Sequence, residues 1–528
     1  MTLAPRFLVE FLAGYRARRF VRRLKAQGLG LAAQKAAFKQ LMAQFDGTEF
    51  GQQHSLRAST TYEQFRDSVP PRTYDYFQPL VQRMTTGAAG VLLPGTCHFF
   101  VETAGTMGRK PKLIPVPDSM LQQYRGGLYA ALFLYITRVG SPGVFLGRHL
   151  HTGPSTIIKE EAGAYFTSLD GILTFSLSPW VEANLRSPPL DVDYLPEGPV
   201  KLTETVQAMR TSDVTLVAGA PAAACALALA CREAAAAGAE EAPPHLQALW
   251  PNLECLLFSG APVGLYTDAL RLWLGPSVNL HEVYAAAEGV FAVQDDAEPA
   301  ALRLLTDTGI FYEFLPLRDY NEKTFANDRE FCRPLEQVKP DVDYVVIITT
   351  PAGLCRYVVG DIVRFVSVDP PRLLFIGRTG CQLNSFGEHV TERELAETLL
   401  TVCARNGWQA VNFHVAPYQR RVAAGQIISC HEWWLELGTH TIKTPTANVL
   451  APELDAELAR HNSDYAARRS ARTVDLPSVR LVMPGMFEQW ALGQGKASST
   501  SKMQRCRSDR NIADQLATLA RFHPETET

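Results

Sequence analysis

Short apolar runs alternate with helix-like segments through the middle of this 528-residue chain, and that alternation constrains the fold more than any other feature. The runs have the length and composition of buried strands; they are "KLIPVP", "VTLVAG", "CLLFSG" and "NLHEVY". Between them lie segments with helical periodicity, such as "SMLQQYRGGLYAALFLYITR". Strands that alternate with helices pack as a sheet covered by helices, so the pattern predicts an α/β layered domain.

The pattern changes near residue 340, where "DYVVIITTPAGLCRYVVGDIVRFVSVDPPRLLFIGR" predicts three or four strands joined by tight turns. Beyond it, a helix with a capping box of Thr391 and Glu394 precedes two strand-like runs and further helices. One hydrophobic core rarely grows beyond ~250–300 residues, so a chain of this length should form two or more domains. We predict a large N-terminal α/β domain with a β-rich subdomain (1–377) and a small, mobile α+β C-terminal domain (378–528).

Residues 5–45 have the periodicity of helices, and a further helix is predicted to begin at a capping box formed by Thr60 and Glu63. The first helix has arginines on one side and apolar residues at helical spacing on the other. These apolar residues are Phe7, Leu8, Phe11, Leu12 and Tyr15. Such a segment predicts a surface helix packed on the domain, and weak association with a membrane is the alternative.

Composition excludes several classes of protein. A formal net charge of −3 argues against nucleic acid as the main partner, because nucleic-acid binders carry a basic face. Ten cysteines without a CxxC pattern predict neither a zinc ribbon nor a disulfide framework, and reduced thiols are typical of a cytoplasmic protein. The N-terminus lacks the apolar core of a signal peptide, and the apolar stretch 214–231 predicts a buried strand, turn and helix rather than a membrane span. We therefore expect a soluble, cytoplasmic protein with no stable membrane insertion.

Two weaker candidate sites, a histidine pair and a cysteine pair, indicate no function. His149 and His151 have too few potential partners for a metal site and are expected in a loop. Cys355 and Cys381 have no evident base beside them in the sequence, and no G-x-S-x-G motif indicates a hydrolase.

The stretch "VETAGTMGRKPKLIP" (101–115) has the residue types of a phosphate-binding loop. Such loops need glycines for close backbone approach, hydroxyl donors and cations. The stretch supplies them as Gly105 and Gly108, Thr103 and Thr106, and Arg109, Lys110 and Lys112. The Walker pattern G-x-x-x-x-G-K-[ST] fails because the sixth position from Gly105 is Lys110, and G-x-G-x-x-G fails as well. Taken alone, the stretch leaves a phosphate loop and a plain turn open.

Four short motifs follow one another in the order found in adenylate-forming enzymes. They are "TAGTMGRKPK", "YAAAEG" (284–289), "YVVGD" (357–361) and "SKMQR" (501–505). Three longer stretches are similar to one branch of these enzymes: "TTYEQFRDSVPPRTYDYFQPLVQRMTTG", "ITTPAGLCRYVVGDIVRF" and "LDAELARHNSDYAARRS". From about residue 45 to 510, the chain resembles the plant auxin-responsive (Gretchen Hagen type) acyl acid amido synthetases and their bacterial relatives.

The resemblance implies a ligase that forms a C–N bond through an acyl adenylate and uses ATP and Mg²⁺. A carboxylic acid would attack the α-phosphorus of ATP, and an amine, expected to be an amino acid, would then take the acyl group. Two alternatives stay open: transfer of the acyl group to a thiol such as coenzyme A, and a degenerate homologue that binds a nucleotide or an acid without turnover. The sequence specifies neither the acid nor the amine.

The resemblance also implies roles for individual residues. The residues implied to hold the phosphates are Thr103, Gly105, Thr106, Gly108 and Lys112. Glu288 is implied as a catalytic residue and magnesium ligand, since Mg²⁺ prefers hard oxygen ligands. Tyr284 would border the adenine, and Asp361 would accept hydrogen bonds from the ribose hydroxyls. A surface glutamate, a core tyrosine and a turn aspartate are the structural alternatives.

Two further roles belong to the predicted C-terminal domain. Arg378 opens the hinge-like "GRTG" and is implied in contact with the ribose or a phosphate. Lys502 matches the catalytic lysine of the family, which reaches the α-phosphate from a mobile domain, and Lys496 is its rival. A solvated lysine of the tail is the structural alternative.

The chain departs from the family pattern at four positions near the implied nucleotide site. Expected hydroxyl side chains are replaced there by Ala104, Met107, Ala286 and Ala287. Losing one donor aimed at developing charge can lower a rate by roughly 10²–10³. The departures favour the degenerate alternative, whereas the retained Glu288, Asp361 and Lys112 favour an active enzyme.

Overall fold

The computed structural model describes residues 5–26, 30–103, 111–237, 242–259, 267–296, 301–321, 324–327, 329–421, 427–438, 445–493 and 503–519. The described residues of Met1–Gly260 and Arg271–Phe375 form the larger of two compact units, and those of Ala261–Leu270 and Ile376–Thr528 form the smaller one. The division into domains predicted at residues 377/378 remains a prediction, since compactness alone does not establish that a segment folds or moves independently.

The helices are numbered in chain order. They are α1 (Arg6–Ala26), α2 (Leu31–Phe45), α3 (Glu49–Gln53), α4 (Tyr62–Ser68), α5 (Tyr74–Thr85), α6 (Asp118–Val139), α7 (Leu169–Phe175), α8 (Pro179–Asn184), α9 (Leu190–Asp193), α10 (Pro199–Met209), α11 (Pro221–Ala237), α12 (Leu246–Leu249), α13 (Thr267–Leu274), α14 (Glu392–Asn406), α15 (Ala447–His461), α16 (Ser463–Ser470), α17 (Met486–Gly493) and α18 (Asn511–Leu519).

The strands are numbered in the same way. They are β1 (Phe99–Glu102), β2 (Leu113–Pro115), β3 (Arg148–His151), β4 (Lys159–Glu161), β5 (Ala164–Thr167), β6 (Arg186–Ser187), β7 (Val214–Ala218), β8 (Cys255–Phe258), β9 (Asn279–Ala286), β10 (Gly289–Gln294), β11 (Leu302–Leu304), β12 (Phe311–Pro316), β13 (Arg333–Pro334), β14 (Asp343–Thr349), β15 (Tyr357–Val368), β16 (Pro371–Arg378), β17 (Gln382–Leu383), β18 (Val390–Thr391), β19 (Ala410–Arg421), β20 (Ile427–Leu437) and β21 (Ser478–Val482).

Within the described ranges, the largest sheet has twelve strands in the order β13-β12-β14-β15-β16-β11-β10-β9-β8-β7-β3-β6. From β6 to β9 the neighbouring strands are parallel, and α11 joins β7 to β8 as such crossovers require. The pairs β9–β10, β10–β11, β11–β16, β14–β15, β12–β14 and β12–β13 are antiparallel. A second sheet has the order β2-β1-β5-β4. This mixture confirms the predicted α/β layers with a β-rich part.

The apolar stretch 214–231 forms β7 and the beginning of α11, as the predicted buried strand, turn and helix. Val214 and Leu216 are buried in the sheet, and α11 begins at Pro221, where its fixed φ suits the first helical turn. No helix among the described residues is both long and apolar enough to cross a membrane.

The smaller unit contains the predicted α+β arrangement. A sheet of β19, β20 and β21 pairs β19 with β20 antiparallel and β20 with β21 parallel. The capping box at the start of α14 is confirmed, because Thr391 Oγ1 accepts from the Glu394 amide and the Glu394 carboxylate accepts from the Thr391 amide. Two helices follow the strands β19 and β20, because Asn462 ends α15 and caps α16 by accepting from the Tyr465 amide at 2.7 Å.

Two local predictions were wrong in detail. The capping box of α4 lies one residue later than predicted: Thr61 caps the helix, and Gln64 Oε1 accepts from the Thr61 amide at 2.9 Å. Glutamine serves this role as well as glutamate does, so the sequence allowed both registers. His149 and His151 lie on β3 and not in a loop, and His149 Nε2 is 2.8 Å from the Val144 carbonyl oxygen.

The first helix packs on the larger unit through a different face from the one its apolar pattern indicated. Ala13 and Ala17 are buried against α6, and Leu24 is buried near the middle of α6. By contrast, Phe7 is 71% exposed and Phe11 is 62% exposed. The small alanine side chains let the two helix backbones approach closely, which the bulkier aromatic face does not.

Candidate active site

Thr103 and Lys112 pair with each other beyond the ends of β1 and β2. The Thr103 amide donates to the Lys112 carbonyl oxygen at 2.9 Å, and the Lys112 amide donates to Thr103 Oγ1 at 3.0 Å. Together with the antiparallel pairing of β1 and β2, these bonds form the base of a hairpin. Residues 104–110 join the two sides and lie outside the described residues. The predictions for Gly105, Thr106 and Gly108, and the departures at Ala104 and Met107, therefore stay predictions.

Lys112, Tyr357 and Glu288 form a chain of polar contacts. Lys112 Nζ donates to the Tyr357 hydroxyl at 2.7 Å, and that hydroxyl donates to Glu288 Oε1 at 3.0 Å. Lys112 Nζ also lies 3.6 Å from Glu288 Oε1. Burial, followed by the nearby Glu288 charge, raises the pKa of Tyr357 well above its usual value, so the phenol keeps the proton that it donates.

Glu288 lies in the turn between β9 and β10, where Ala286 pairs with Gly289. The carboxylate is buried, so Glu288 is not the surface glutamate that was the structural alternative. Tyr124 fixes the turn from α6, because its hydroxyl donates to the Ala287 carbonyl oxygen. Ala286 and Ala287 pack against the main hydrophobic core. At these two departures the chain thus has apolar contacts in place of hydroxyl donors.

Tyr284 and Asp361 form a second polar contact close by. The Tyr284 hydroxyl donates to Asp361 Oδ2 at 2.7 Å, and both residues are buried. The Tyr284 ring lies beside Phe291 and Phe375, with ring centroids 5.0 Å and 5.7 Å away. The tyrosine is therefore part of the core, and its hydroxyl orients the carboxylate predicted to bind the ribose.

The Tyr284–Asp361 and Glu288–Tyr357 contacts bring together the residues predicted to bind adenine, ribose and magnesium. Tyr284 and Glu288 are four residues apart, as are Tyr357 and Asp361, and each member of one pair contacts a member of the other. Strands β9 and β15 are four steps apart in the sheet, so a flat sheet with ~4.8 Å between strands would hold them roughly 19 Å apart. Side chains in hydrogen-bonding contact therefore require the sheet to curl strongly here.

Arg356 is a buried residue of this region that the sequence did not single out. Its guanidinium binds Glu313 through two hydrogen bonds of 2.9 Å, and it donates to the Val69 and Arg66 carbonyl oxygens. Both partners of the ion pair are fully buried. A lone arginine in the apolar stretch "GLCRYVV" was the signal that could have indicated this pair. The arginine anchors the chain just before Tyr357, so it positions that tyrosine.

Burial excludes Cys355 and Cys381 as nucleophiles. It raises the pKa of the Cys355 thiol well above its usual value and that of Cys381 to about 12, so neither is a thiolate at neutral pH.

The remaining predicted residues belong to the smaller unit or lie outside the described ranges. Arg378 ends β16, and its charge, after that of Arg505, opposes the effect of burial, which raises the pKa of Glu392. This places Arg378 near the Glu392 carboxyl, and its predicted contact with the nucleotide stays a prediction. Lys496 and Lys502 lie outside the described residues.

Models of the GH3 family match the chain in three places. The N-terminal domain of the family matches residues 30–169, the central domain matches 303–378, and the C-terminal domain matches 394–511. These ranges include Thr103, Lys112, Tyr357 and Asp361.

Known proteins are similar to this chain in sequence or in fold over most of its length. It is 22% identical to the indole-3-acetic acid-amido synthetase GH3.8 of Oryza sativa subsp. indica over 552 aligned positions, which cover 90% of this chain and 88% of the relative. Its fold is similar to that of the GH3.15 acyl acid amido synthetase in complex with 2,4-DB (TM-score 0.74, 15% identity, 98% of both chains). It is also similar in fold to a 2-hydroxyisobutyryl-CoA ligase (TM-score 0.56, 14% identity, 93% and 91% of the chains). The chain belongs to the GH3 family.

Proposed function

We propose that this protein uses ATP to adenylate a carboxylic acid and then transfers the acyl group to the amine of an amino acid. The observation that carries the proposal is the joining of Lys112 and Glu288 through Tyr357, next to the Tyr284–Asp361 contact. One cation and two carboxylates are thereby held at the base of the 103–112 hairpin and in the curled sheet. Adenylation needs this combination, because negative charge must be neutralised on the phosphates while the nucleoside is held still.

Glu288 is suited to a magnesium ion that arrives with the nucleotide. Among the described residues only Tyr357 hydrogen-bonds the carboxylate, through Oε1, so Oε2 is left for a further ligand. Those residues contain no group of three or more His, Cys, Asp or Glu side chains that could hold a metal. Mg²⁺ suits such a place, since one or two carboxylates together with substrate phosphates and waters complete its shell. When bound, Mg²⁺ supplies charge neutralisation at the phosphates.

In this proposal each side chain has a distinct task. Lys112 offers its ammonium group to the phosphates, Asp361 accepts from the ribose hydroxyls, and Tyr284 fixes the aspartate that does so. The carboxylate oxygen of the acid attacks the α-phosphorus, pyrophosphate leaves, and the amine nitrogen then attacks the acyl carbon and expels AMP. Lys502 is proposed to approach the α-phosphate during the first step, and Arg378 to contact the ribose or a phosphate.

The first experiment is acid-dependent exchange of labelled pyrophosphate into ATP across a panel of carboxylic acids. The names of the relatives recommend indole-3-acetic acid and 2,4-DB for the panel, together with aliphatic acids. For an acid that supports exchange, mass spectrometry with a mixture of amino acids, and separately with coenzyme A, identifies the acceptor. An amide product supports the proposal. A thioester alone would replace it with the thiol-transfer alternative, and no exchange with any acid would favour a binding protein without turnover.

Substitutions then test the residue roles. Glu288→Gln and Lys502→Ala are each expected to lower exchange by roughly 10²-fold or more, because each removes charge from the adenylation step. Glu336→Gln, at an exposed glutamate, is the control for the first, and Lys496→Ala is the control for the second. A Lys496→Ala variant that loses exchange while Lys502→Ala keeps it would transfer the role to Lys496.

A further inference from the structure

The outward face of α1 is a stripe that changes from aromatic to basic along the helix. Because an α-helix turns about 100° per residue, spacings of four and three residues stay on one side. The stripe contains Phe7, Phe11, Tyr15, Arg18 and Arg22. It is opposite Ala13 and Ala17, which pack on α6. We call this stripe, together with Leu8, Leu12, Arg16, Arg19 and Lys25 on its flanks, the outward face.

The first half of the outward face is unusually apolar for a surface. Phe7, Phe11 and Tyr15 are 71%, 62% and 50% exposed, and Leu8 and Leu12 extend the patch on one side. The rings of Phe11 and Tyr15 stack with centroids 6.5 Å apart, so the residues form one continuous patch. Contiguous apolar patches of this kind mark places where a soluble surface meets another phase or another molecule.

The second half of the outward face is strongly basic. Helix α1 contains six arginines and one lysine against a single glutamate, a formal charge of +6, in a chain whose net charge is −3. Within the described part of the chain, no acidic side chain forms an ion pair with Arg16, Arg18, Arg19, Arg22 or Lys25. The charge is therefore concentrated on this helix and is available to an external anion.

We propose that the outward face of α1 docks the protein on the surface of an anionic lipid bilayer. Aromatic and leucine side chains of the first half enter the headgroup region, and the arginines of the second half contact the anionic headgroups. A helix lying in the interface needs this pairing of apolar side chains with cationic ones. A second copy of the chain supplies apolar contact but, through the same helix, only the single carboxylate of Glu10, which already pairs with Arg6. Charge complementarity thus favours the lipid surface.

The test is sedimentation of the full-length protein with vesicles of phosphatidylcholine alone and of phosphatidylcholine mixed with phosphatidylglycerol. We expect the partition coefficient to be at least about tenfold higher for the anionic vesicles and to fall as salt is added, since salt screens the arginine charges. Equal binding to both kinds of vesicle, or no binding to the anionic ones at low salt, would overturn the proposal.

Matched variants assign the effect to the helix. Phe7→Ser/Phe11→Ser and Arg18→Glu/Arg22→Glu are each expected to lower the partition coefficient at least about tenfold. Val200→Ser/Leu272→Ser and Lys159→Glu/Lys339→Glu make the same changes at exposed positions elsewhere and should bind as the wild type does. Equal thermal midpoints show that the variants are folded. If light scattering shows a wild-type dimer that the phenylalanine substitutions dissociate, a second copy covers the face and the proposal is wrong.

Discussion

At the level of single residues, the Tyr357 hydroxyl fixes the positions of the Lys112 ammonium group and the Glu288 carboxylate relative to each other. The phenol accepts from the ammonium group and donates to the carboxylate, so both charged groups have fixed directions. Its ring packs edge to face against Phe77, with centroids 6.1 Å apart, which holds the hydroxyl in place. The tyrosine is thus a positioning residue for two charged groups that lie 3.6 Å apart.

Replacing this hydroxyl should impair activity without unfolding the protein. For Tyr357→Phe we expect acid-dependent pyrophosphate exchange to fall roughly tenfold to a hundredfold, because Lys112 and Glu288 lose their common partner. The thermal midpoint should fall no further than in a variant that removes another buried tyrosine hydroxyl, since the ring contact with Phe77 remains. Tyr135→Phe is the matched control, because it removes a buried tyrosine hydroxyl that donates to the Glu254 carbonyl oxygen and accepts from the Asn279 side-chain amide. Exchange at the wild-type rate in Tyr357→Phe would contradict the positioning role.

Tyr284 should act on nucleotide binding and not on the chemical step. Without its hydroxyl, Asp361 loses the 2.7 Å bond that orients it toward the proposed ribose site. We expect Tyr284→Phe to raise the KM for ATP by roughly threefold to tenfold with a nearly unchanged kcat, and Asp361→Asn to raise it further. Steady-state kinetics at saturating acid measures both constants. An unchanged KM for ATP in both variants would remove Asp361 from the nucleotide site.

At the level of secondary structure, the ion pair of Arg356 and Glu313 links the beginning of β15 to β12, although β14 lies between these strands in the sheet. Their double hydrogen bond lies in the core, where neither charge can be left alone without a large cost in free energy. Arg356 also has a left-handed backbone with a φ of 45°, which turns the chain sharply before Tyr357. The ion pair therefore sets where the strand that carries Tyr357 and Asp361 begins.

Breaking this ion pair on one side should destabilise the larger unit. For Arg356→Met we expect the free energy of unfolding to fall by about 3–5 kcal/mol, because Glu313 is left as a buried, unpaired charge. Arg356→Met/Glu313→Leu should recover much of the loss, since both charges are then removed together. Denaturant unfolding of the two variants decides the point: a double variant no more stable than the single one would show that the charges are not coupled.

Strands and helices with strong local signals were predictable from the sequence, and contacts between distant elements were not. The runs that became β7 and β8 and the capping box at Thr391 depend on neighbouring residues alone. The face on which α1 packs depends on α6, more than a hundred residues away, and small alanines were preferred there over larger apolar side chains. Glu288 and Asp361 were predicted through family motifs, whereas the roles of Tyr357 and Arg356 depend on distant partners. The lone arginine in an apolar stretch signals a buried charge, but it does not identify Glu313 as the partner.

At the level of the whole molecule, three histidines, of which His281 and His414 are fully buried and His149 is partly buried, make stability depend on pH. Burial lowers the pKa of His149 to about 4, that of His281 to about 3 and that of His414 to about 4. Histidine in an unfolded chain has a pKa near 6.5. Below that pH the unfolded chain therefore binds protons at these histidines, whereas the folded chain does not. These groups contribute stability that is fully present above about pH 6.5 and is lost as pH falls toward the folded values.

The thermal midpoint should therefore fall from pH 7 to pH 5. Each of these histidines can contribute up to about 1.4 kcal/mol per pH unit within its window. His281→Asn should begin with a lower midpoint at pH 7, because it loses the bond to the Ala131 carbonyl oxygen, and should lose less on acidification. His98→Asn, at an exposed histidine, should keep the wild-type pH dependence. Equal acid sensitivity of all three proteins would exclude a role for His281.

The curled sheet has a consequence for the order of folding. The Tyr284–Asp361 and Glu288–Tyr357 contacts join residues 77 and 69 positions apart, and they form across strands that are not sheet neighbours. Contacts of such long sequence separation form only after the entropy of closing the intervening chain has been lost. The parallel strands β7, β8 and β9 pair over shorter separations and can do so before β15 arrives. A nucleotide could therefore bind at this site only after the larger unit has completed folding. Its binding would then slow the unfolding of that unit.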